Sequence, residues 1–263
     1  MGFKCGIIGL PNVGKSTLFN ALTKSEIPAE NFPFCTIDPN IGKVPLPDKR
    51  LLELNNIVNS NKIIPAALDL VDIAGLVKGA SDGEGLGNSF LSNIREMSAL
   101  AHVVRCFEDE NITHVDGSVD PRRDVEVINL ELILADLETV GKRITKCEKL
   151  LKTNDKENNL QLEILLSLKN DLENGQLINL KNFNENEQKI IKSFQLLSSK
   201  PTFFIGNIND SENSKNNIQE LNKIASELNT FVIPASVKME HEISMLDEIE
   251  KKEYLELMEM DEP

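Results

Sequence analysis

The sequence predicts an α/β fold with a mostly parallel sheet and an inserted pair of helices. Three observations predict it. Apolar runs of strand length alternate with helix-like segments through most of the 263 residues. The first run, "KCGIIGL", leads through a glycine-containing loop into the helix-like "KSTLFNALTK". Between 125 and 198, by contrast, apolar residues recur every three or four positions and no strand-like pattern occurs.

Short apolar runs predict the strands, and helical periodicity predicts most of the segments between them. The predicted strands are 4–10, 66–75, 101–108, 201–208 and 230–236, and the helices cover roughly 88–100, 121–152 and 214–229. Strands that alternate with helices form parallel sheets. Because ligands of such sheets bind beyond the carboxyl ends of the strands, we expect the functional residues there.

The insertion carries two narrow apolar stripes separated by the polar segment "KTNDKENN". Such stripes predict an antiparallel coiled-coil hairpin that projects from the α/β domain. The stripe residues are Leu130, Leu134, Leu137, Val140, Ile144, Cys147 and Leu151, followed by Leu162, Leu165, Leu168 and Leu172. We therefore divide the chain into 1–124, the inserted 125–198, and 199–263, which returns to the α/β domain and ends in an acidic helical tail.

Composition and charge exclude several classes of protein. The net charge of −14 argues against broad binding to nucleic acid, although residues 142–156 carry six Lys or Arg against two acids. Four scattered cysteines without a Cys-x-x-Cys pair make disulfides or a zinc site unexpected. No run has the length of a membrane span and no signal peptide is visible. We expect a cytoplasmic protein with no membrane contact.

The segment "GLPNVGKST" (9–17) fits the phosphate-binding pattern Gly-x-x-x-x-Gly-Lys-Ser/Thr. It follows a predicted strand and precedes a predicted helix, which is the context that the pattern requires. Lys15 can reach the β- and γ-phosphate oxygens, and Ser16 can bind Mg²⁺. The backbone N–H groups that would surround the phosphates belong to Asn12, Val13, Gly14, Lys15, Ser16 and Thr17.

Two further segments have the features of switches that sense the γ-phosphate. "FPFCTIDPN" (32–40) is a proline-containing loop after the first helix, and Thr36 is its candidate metal ligand. "DIAG" (72–75) ends a strand, so Asp72 would hold the metal through water and the Gly75 N–H would meet the γ-phosphate. Glycines at five of the positions 75–87 make this second segment easy to rearrange.

The group that orients the attacking water is not evident. Many GTPases place a Gln after the glycine of Asp-x-x-Gly, but this chain has Leu76, which cannot position a nucleophile. We therefore expect slow intrinsic turnover. His114, in the loop after the strand 101–108, is one candidate for positioning water. Asn12 is another, because its side-chain oxygen could hold a K⁺ ion that replaces an arginine finger.

Together these motifs predict a P-loop NTPase with a Ras-like G domain. The base-reading motif is the least regular part, because "NIND" (207–210) stands where GTP-binding proteins often have Asn-Lys-x-Asp. Guanine offers two donors to a carboxylate, whereas adenine offers a lone pair at the same place. Asp210 pointing into the pocket would therefore favour guanine, and Ile208 can cover either base. From these residues alone, GTP and ATP both stay open.

The chain resembles the Obg-like ATPase (YchF) family of translation-factor-class P-loop proteins over essentially its whole length. The resemblance rests on "MGFKCGIIGLPNVGKSTLFNALTK", "NFPFCTIDPN", "VDIAGLVKGASDGEGLGNSFL", "AHVVRCF" and "NIND". It implies a nucleotide domain, a helical coiled-coil insertion and a C-terminal TGS domain. The chain stops at "MDEP", where the third domain would begin, so the resemblance implies a truncated chain.

The resemblance also implies what the protein does. It implies Mg²⁺-dependent ATP hydrolysis with ATP preferred over GTP, and association with the ribosome at its large subunit. Contact with rRNA or tRNA would use the hairpin and the missing domain. Asn207 and Ile208 would hold the adenine with Asp210 turned aside, and Ser236 would also contact the nucleotide. A GTPase of the Obg type and a non-hydrolytic adaptor gated by nucleotide stay as alternatives.

Overall fold

The computed structural model describes residues 3–24, 40–73, 86–150 and 156–258. Within these ranges, one sheet contains β1 (Phe3–Ile8), β2 (Asn40–Pro45), β3 (Ala67–Asp72), β4 (Ala99–Arg105), β5 (Thr202–Asn207) and β6 (Val232–Ala235). The helices are α1 (Lys15–Thr23), α2 (Lys49–Val58), α3 (Leu86–Arg95), α4 (Pro121–Leu150), α5 (Lys156–Glu173), α6 (Glu185–Phe194), α7 (Glu212–Glu227), α8 (Val237–Met245) and α9 (Glu248–Leu257). These elements confirm the predicted α/β class.

The strand order is β2-β3-β1-β4-β5-β6, and every neighbouring pair except β2 with β3 is parallel. From β1 the chain moves outwards to β3 and then crosses back to β4. The order therefore reverses at β1, which is where ligands of open α/β sheets bind. The carboxyl ends of β1, β3, β4 and β5 lie along this edge, and they carry the motifs found in the sequence.

The sequence pattern does not predict β2 and α2. β2 lies at the edge of the sheet, runs antiparallel to β3, and alternates between half-buried and exposed residues. α2 buries none of its residues. Elements that bury so little leave only a weak apolar period in the sequence, so they are difficult to recognise.

Helices cover both faces of the sheet. Val103 of β4 packs in an apolar cluster with residues of α1, α3 and α4. Val104, the next residue, packs in another cluster with residues of α4 and α7. Side chains of a strand alternate between faces, so this pair shows that the parallel sheet has a core on each side. None of the described helices is long and apolar enough to cross a membrane.

The inserted helices form a hairpin with its own apolar core. The predicted stripe is correct for its distal part, where Val140, Ile144 and Cys147 are buried against Leu165, Leu168 and Leu172. It is wrong for Leu130 and Leu134, which are exposed. The first half of α4 packs against the sheet and α7, so a different face of the helix is buried there, formed by Val125, Ile128, Leu132 and Ala135.

α4 belongs to both units. It begins at Pro121 and continues without interruption to Leu150, so the division placed between 124 and 125 falls within its first turns. Its early residues contribute to the cores on the sheet, and its later residues contribute to the hairpin core. The hairpin is therefore an extension of a helix that is rooted in the α/β domain.

A buried carboxylate fixes α4 to the segment that leads into β5. Asp136 accepts hydrogen bonds from the Leu197 N–H at 2.9 Å, the Ser198 N–H at 2.8 Å and the Ser198 hydroxyl at 2.7 Å. The side chain is fully buried, so water cannot take its place as the acceptor for these three donors. This contact sets the position of the insertion relative to the sheet.

We expect the Asp136→Asn variant to lose about 2–4 kcal/mol of unfolding free energy, because an amide replaces one of two buried acceptor oxygens with a donor. Urea denaturation followed by circular dichroism measures the change. Glu138→Gln is the matched control, since this acid lies on the same helix but is exposed. We expect it to change stability by less than about 0.5 kcal/mol. Equal losses in the two variants would contradict the role of Asp136.

Candidate functional site

The loop between β1 and α1 requires glycine at two positions. Gly9 has a φ of 147°, and a Cβ there would lie 2.4 Å from the Val103 carbonyl oxygen. Gly14 caps α1 with a φ of 102°, and its Cβ would lie 2.4 Å from Nδ2 of Asn207. Any other residue would push the loop away from β4 and β5, so the two glycines set its path.

The start of α1 is prepared to bind an anion. Its first turn contains no acidic residue, so nothing competes with a phosphate for the N–H groups and the positive end of the helix dipole. The Lys15 ammonium is buried and donates to the Leu10 carbonyl at 2.7 Å, across the same loop. Burial lowers the pKa of Lys15 to about 8, and the Asp72 carboxylate partly counters this. A phosphate in the loop would favour the charged ammonium.

Ser16 and Asp72 form a pair of oxygen groups that fits Mg²⁺. Asp72 ends β3 next to β1, and its Oδ2 accepts a hydrogen bond of 2.8 Å from the Ser16 hydroxyl. Oδ1 is buried, and no described residue donates a hydrogen bond to it. Burial raises the pKa of Asp72, while the Ser16 hydrogen bond and the Lys15 charge lower it. A hard cation prefers such oxygens and would satisfy the unpartnered one.

The remaining phosphate-loop residues also line this edge of the sheet. Val13 is buried, while Asn12 and Thr17 are half-buried. The Asn12 side chain donates from Nδ2 to the Thr113 carbonyl at 3.2 Å, which joins the phosphate loop to the loop after β4. The two predicted switch residues, Thr36 and Gly75, lie outside the described residues.

Asn207 connects the phosphate loop to the base motif. Its Nδ2 donates to the Val13 carbonyl at 2.9 Å, and its Oδ1 accepts from the Val237 N–H at 3.3 Å. Both ends of the buried amide therefore have partners within the fold, and the amide group has a second N–H besides the one used here. Ile208 is half-buried and packs beside β5 and α7. Ser236 caps α8, directly before Val237, without a side-chain capping bond.

The last two residues of the base motif are exposed. Asn209 accepts hydrogen bonds from the Ser211 N–H and hydroxyl through the same oxygen, at 3.1 and 2.6 Å. It thus forms a turn at the start of α7. Asp210 follows with an exposed side chain. The structure brings Asn207 and Ser236 next to the phosphate loop and leaves Asp210 at the surface.

His114 is buried rather than open to a phosphate. Its Nε2 lies 2.9 Å from Oδ2 of Asp124, and its Nδ1 accepts a hydrogen bond of 3.2 Å from the Asp116 N–H. Both ring nitrogens are therefore engaged, and neither is available to orient a water molecule in this arrangement. A water-positioning role requires one of these two contacts to open.

Two residues of this region do not stand out in the motif patterns. Arg105 ends β4, and its guanidinium donates to the carbonyls of Phe107, Asp109 and Ile112, which shapes the loop that carries His114. An arginine within the mostly apolar "AHVVRCF" is a signal that could have revealed it. Asp124 lies in the first turn of α4, and nothing in the sequence indicates that it meets His114.

We expect Asn207→Asp to weaken binding of both ATP and GTP by about tenfold or more, because a carboxylate oxygen would face the Val13 carbonyl in place of a donor. Fluorescent-nucleotide titration measures the affinities. Asn209→Asp is the matched control, since both hydrogen bonds of this exposed side chain use its oxygen as acceptor. The control should bind nucleotide normally. A normal affinity in Asn207→Asp would refute the importance of the amide.

Known proteins resemble this chain in sequence and in fold. A family model described as a 50S ribosome-binding GTPase matches residues 4–135. The chain is 48% identical to the ribosome-binding ATPase YchF of Escherichia coli O157:H7, over 100% of this chain and 73% of that protein. It is 50% identical to the Bacillus subtilis protein of the same name, over 97% and 71%. The solved Schizosaccharomyces pombe YchF GTPase superposes with a TM-score of 0.80 at 36% identity, covering 99% of this chain and 72% of that one. The resemblance seen in the motifs is thereby confirmed, and the chain belongs to the YchF family.

Proposed function

We propose that the chain is a Mg²⁺-dependent nucleotide hydrolase that prefers ATP to GTP and acts with the ribosome in the cytoplasm. The observation that carries this proposal is the contact of the Ser16 hydroxyl with the Asp72 carboxylate beside the phosphate loop. These are the oxygen groups with which P-loop proteins hold a nucleotide-bound Mg²⁺. The relatives that are named ribosome-binding ATPases support the choice of nucleotide and of partner.

Each group at the site has a separate task in this proposal. The N–H groups at the start of α1 bind phosphate oxygens, and the Lys15 ammonium exchanges the Leu10 carbonyl for the β- and γ-phosphates. Ser16 and Thr36 would ligate the metal directly, Asp72 would hold it through water, and the Gly75 N–H would contact the γ-phosphate. A Mg²⁺ ion held by these residues would supply positive charge to the phosphate oxygens. Water would bond to the γ-phosphorus as the bond to the bridging oxygen breaks, which yields the diphosphate, inorganic phosphate and a proton.

Turnover is slow in this proposal, because Leu76 cannot orient water. A polar group from elsewhere must therefore assist. His114 is our candidate, since the residue before it is already in hydrogen-bond contact with Asn12 of the phosphate loop. A K⁺ ion at Asn12 is a second candidate, and it would supply positive charge near the transferred phosphate.

The preference for ATP depends on the base motif. The Lys of Asn-Lys-x-Asp is replaced by Ile208, and the exposed position of Asp210 supports a pocket in which this carboxylate does not read the base. The remaining N–H of Asn207 and nearby backbone groups would then read adenine. The presence of an Asp at 210 favours the alternative of a GTPase, as do the names of the family model and of the yeast structure.

Calorimetric titrations of ATP and GTP into the purified chain, with and without Mg²⁺, test the nucleotide and the metal together. We expect ATP to bind more tightly than GTP, and Mg²⁺ to strengthen binding in the wild type but much less in Ser16→Ala. Asp210→Ala should leave the affinity for ATP unchanged. Ser193→Ala, on the exposed side of α6, is the control and should behave as the wild type. Tighter binding of GTP would support the GTPase, and a full Mg²⁺ effect in Ser16→Ala would remove Ser16 from the metal site.

The helical hairpin is the proposed ribosome contact. Lys142, Lys146 and Lys149 are exposed on the distal half of α4, although the chain as a whole has a charge of −14. A local basic surface on an acidic protein suits a partner rich in phosphates. We propose that this surface meets rRNA or tRNA at the large subunit.

Because Leu76 replaces the catalytic Gln, a non-hydrolytic adaptor that only binds nucleotide is the second alternative.

Single-turnover phosphate release, with and without ribosomes, separates the hydrolase from the adaptor. We expect slow release from the chain alone, faster release with ribosomes, and slower release when Na⁺ replaces K⁺. Lys146→Glu should reduce the ribosome effect, whereas Lys215→Glu, at an exposed position of α7, should not. Absence of release in all conditions would favour the adaptor. Equal rates in Na⁺ and K⁺ would dismiss the K⁺ site.

A further inference from the structure

The two contacts of the His114 ring define which nitrogen carries the proton. The Asp116 N–H can only donate, so Nδ1, which receives it at 3.2 Å, must present its lone pair. The proton of the neutral ring is therefore on Nε2, which faces Oδ2 of Asp124 at 2.9 Å. The side chains of His114 and Asp124 are only 5% and 2% exposed, so water does not compete for this contact. Asp124 thus holds one tautomer of the ring.

The backbone next to His114 is tied to the phosphate loop, because the loop that carries this residue is held at several points. Arg105 holds the carbonyls of Phe107, Asp109 and Ile112. The next residue, Thr113, accepts the hydrogen bond from Asn12 of the phosphate loop. His114 follows directly.

The environment of Asp124 favours a carboxylate that orients a ring over one that binds a metal. Its second oxygen accepts from Arg123 at 3.2 Å, and Arg123 also lies 3.5 Å from Asp116. A guanidinium between the two acids repels a cation. Burial raises the pKa of Asp124, whereas the contacts with His114 and Arg123 lower it. His114, Asp116 and Asp124 are close enough to form a metal cluster, but the arginine and the direct contact of ring with carboxylate oppose it.

We propose that Asp124 is a positioning residue for hydrolysis, which holds the His114 ring by Nε2–H and thereby keeps Nδ1 as the acceptor for the attacking water. This inference rests on the proposed hydrolase function and on the role of His114 within it. For water to reach Nδ1, the Asp116 N–H has to release this acceptor. Asp124 belongs to α4, so the first turn of the hairpin helix takes part in the reaction.

Asp124→Asn tests the inference because an amide has only one acceptor end. It can serve the Arg123 guanidinium or the His114 Nε2–H, but not both. We expect kcat to fall roughly tenfold or more with little change in nucleotide affinity, since the group acts on the reaction and not on binding. Glu126→Gln, an exposed acid two residues further along α4, should keep the wild-type kcat. In the His114→Ala background, Asp124→Asn should cause no further loss.

Imidazole ¹⁵N chemical shifts report the tautomer directly, whereas the fall in kcat at constant affinity separates a positioning role from a purely structural one. In the wild type we expect a protonated Nε2 and an unprotonated Nδ1, and in Asp124→Asn a loss of this pure tautomer. A proton on Nδ1 in the wild type would overturn the inference even if Asp124→Asn fails to fold. Equal losses of kcat from Asp124→Asn in the wild-type and His114→Ala backgrounds would also overturn it. Absence of hydrolysis in the wild type would refute the proposed function instead, and the ¹⁵N shifts would still decide whether Asp124 holds the ring.

Discussion

The side-chain amide of Asn207 is the interaction on which the nucleotide site depends. It ends β5, donates to the Val13 carbonyl and accepts from the Val237 N–H, so one small group joins a strand, the phosphate loop and the start of α8. Only a side chain with a donor and an acceptor on one planar group can do this. Gly14 leaves the space for it. Because of this contact, the part that binds phosphate and the part that contacts the base cannot shift independently.

The charged groups of the site are held close together before any nucleotide is bound. Lys15 and Asp72 lie at the carboxyl edge of the sheet, and both are withdrawn from water. Burial shifts the pKa of each towards the uncharged form, and each counters the shift of the other. Such opposed shifts are typical of functional sites, where buried charged groups are destabilised by desolvation and a bound ligand of opposite charge stabilises them. Here, phosphate and a divalent cation are the ligands with the matching charges.

The sequence predicts the parts of the fold that depend on neighbouring residues. The strand, loop and helix around Lys15 are local, and the pattern of the phosphate loop places them correctly. The prediction from sequence fails where one helix packs against different partners along its length. Leu130 and Leu134 are exposed because α4 turns a different face to the sheet than to α5. β2 and α2 are missed because they bury too little to leave a period.

In the candidate site, too, the sequence predicts the contacts between motif residues but not the contacts that depend on tertiary packing. Ser16 and Asp72 can be paired in advance, because parallel neighbouring strands end at one edge and both residues follow a motif. The contact of His114 with Asp124 cannot, because it joins a loop to a helix whose relative position is set by Arg105 and by packing. The exposure of Asp210 likewise depends on the turn that Asn209 forms with Ser211, and not on the motif itself.

The continuity of α4 makes the hairpin a lever arm. The helix has 30 residues, and at 1.5 Å per residue it is about 45 Å long. Its first turn holds Asp124 in contact with His114, and its last turns hold Ile144 and Cys147 in the hairpin core. The first half is held by the cores on the sheet and by Asp136, so only the part beyond Asp136, about 21 Å long at 1.5 Å per residue, can tilt, and a tilt of about 5° there would move its end by roughly 2 Å. A load applied at the tip would therefore act first on the hydrogen bonds of Asp136, and through them on the segment that leads into β5, the strand that ends at Asn207.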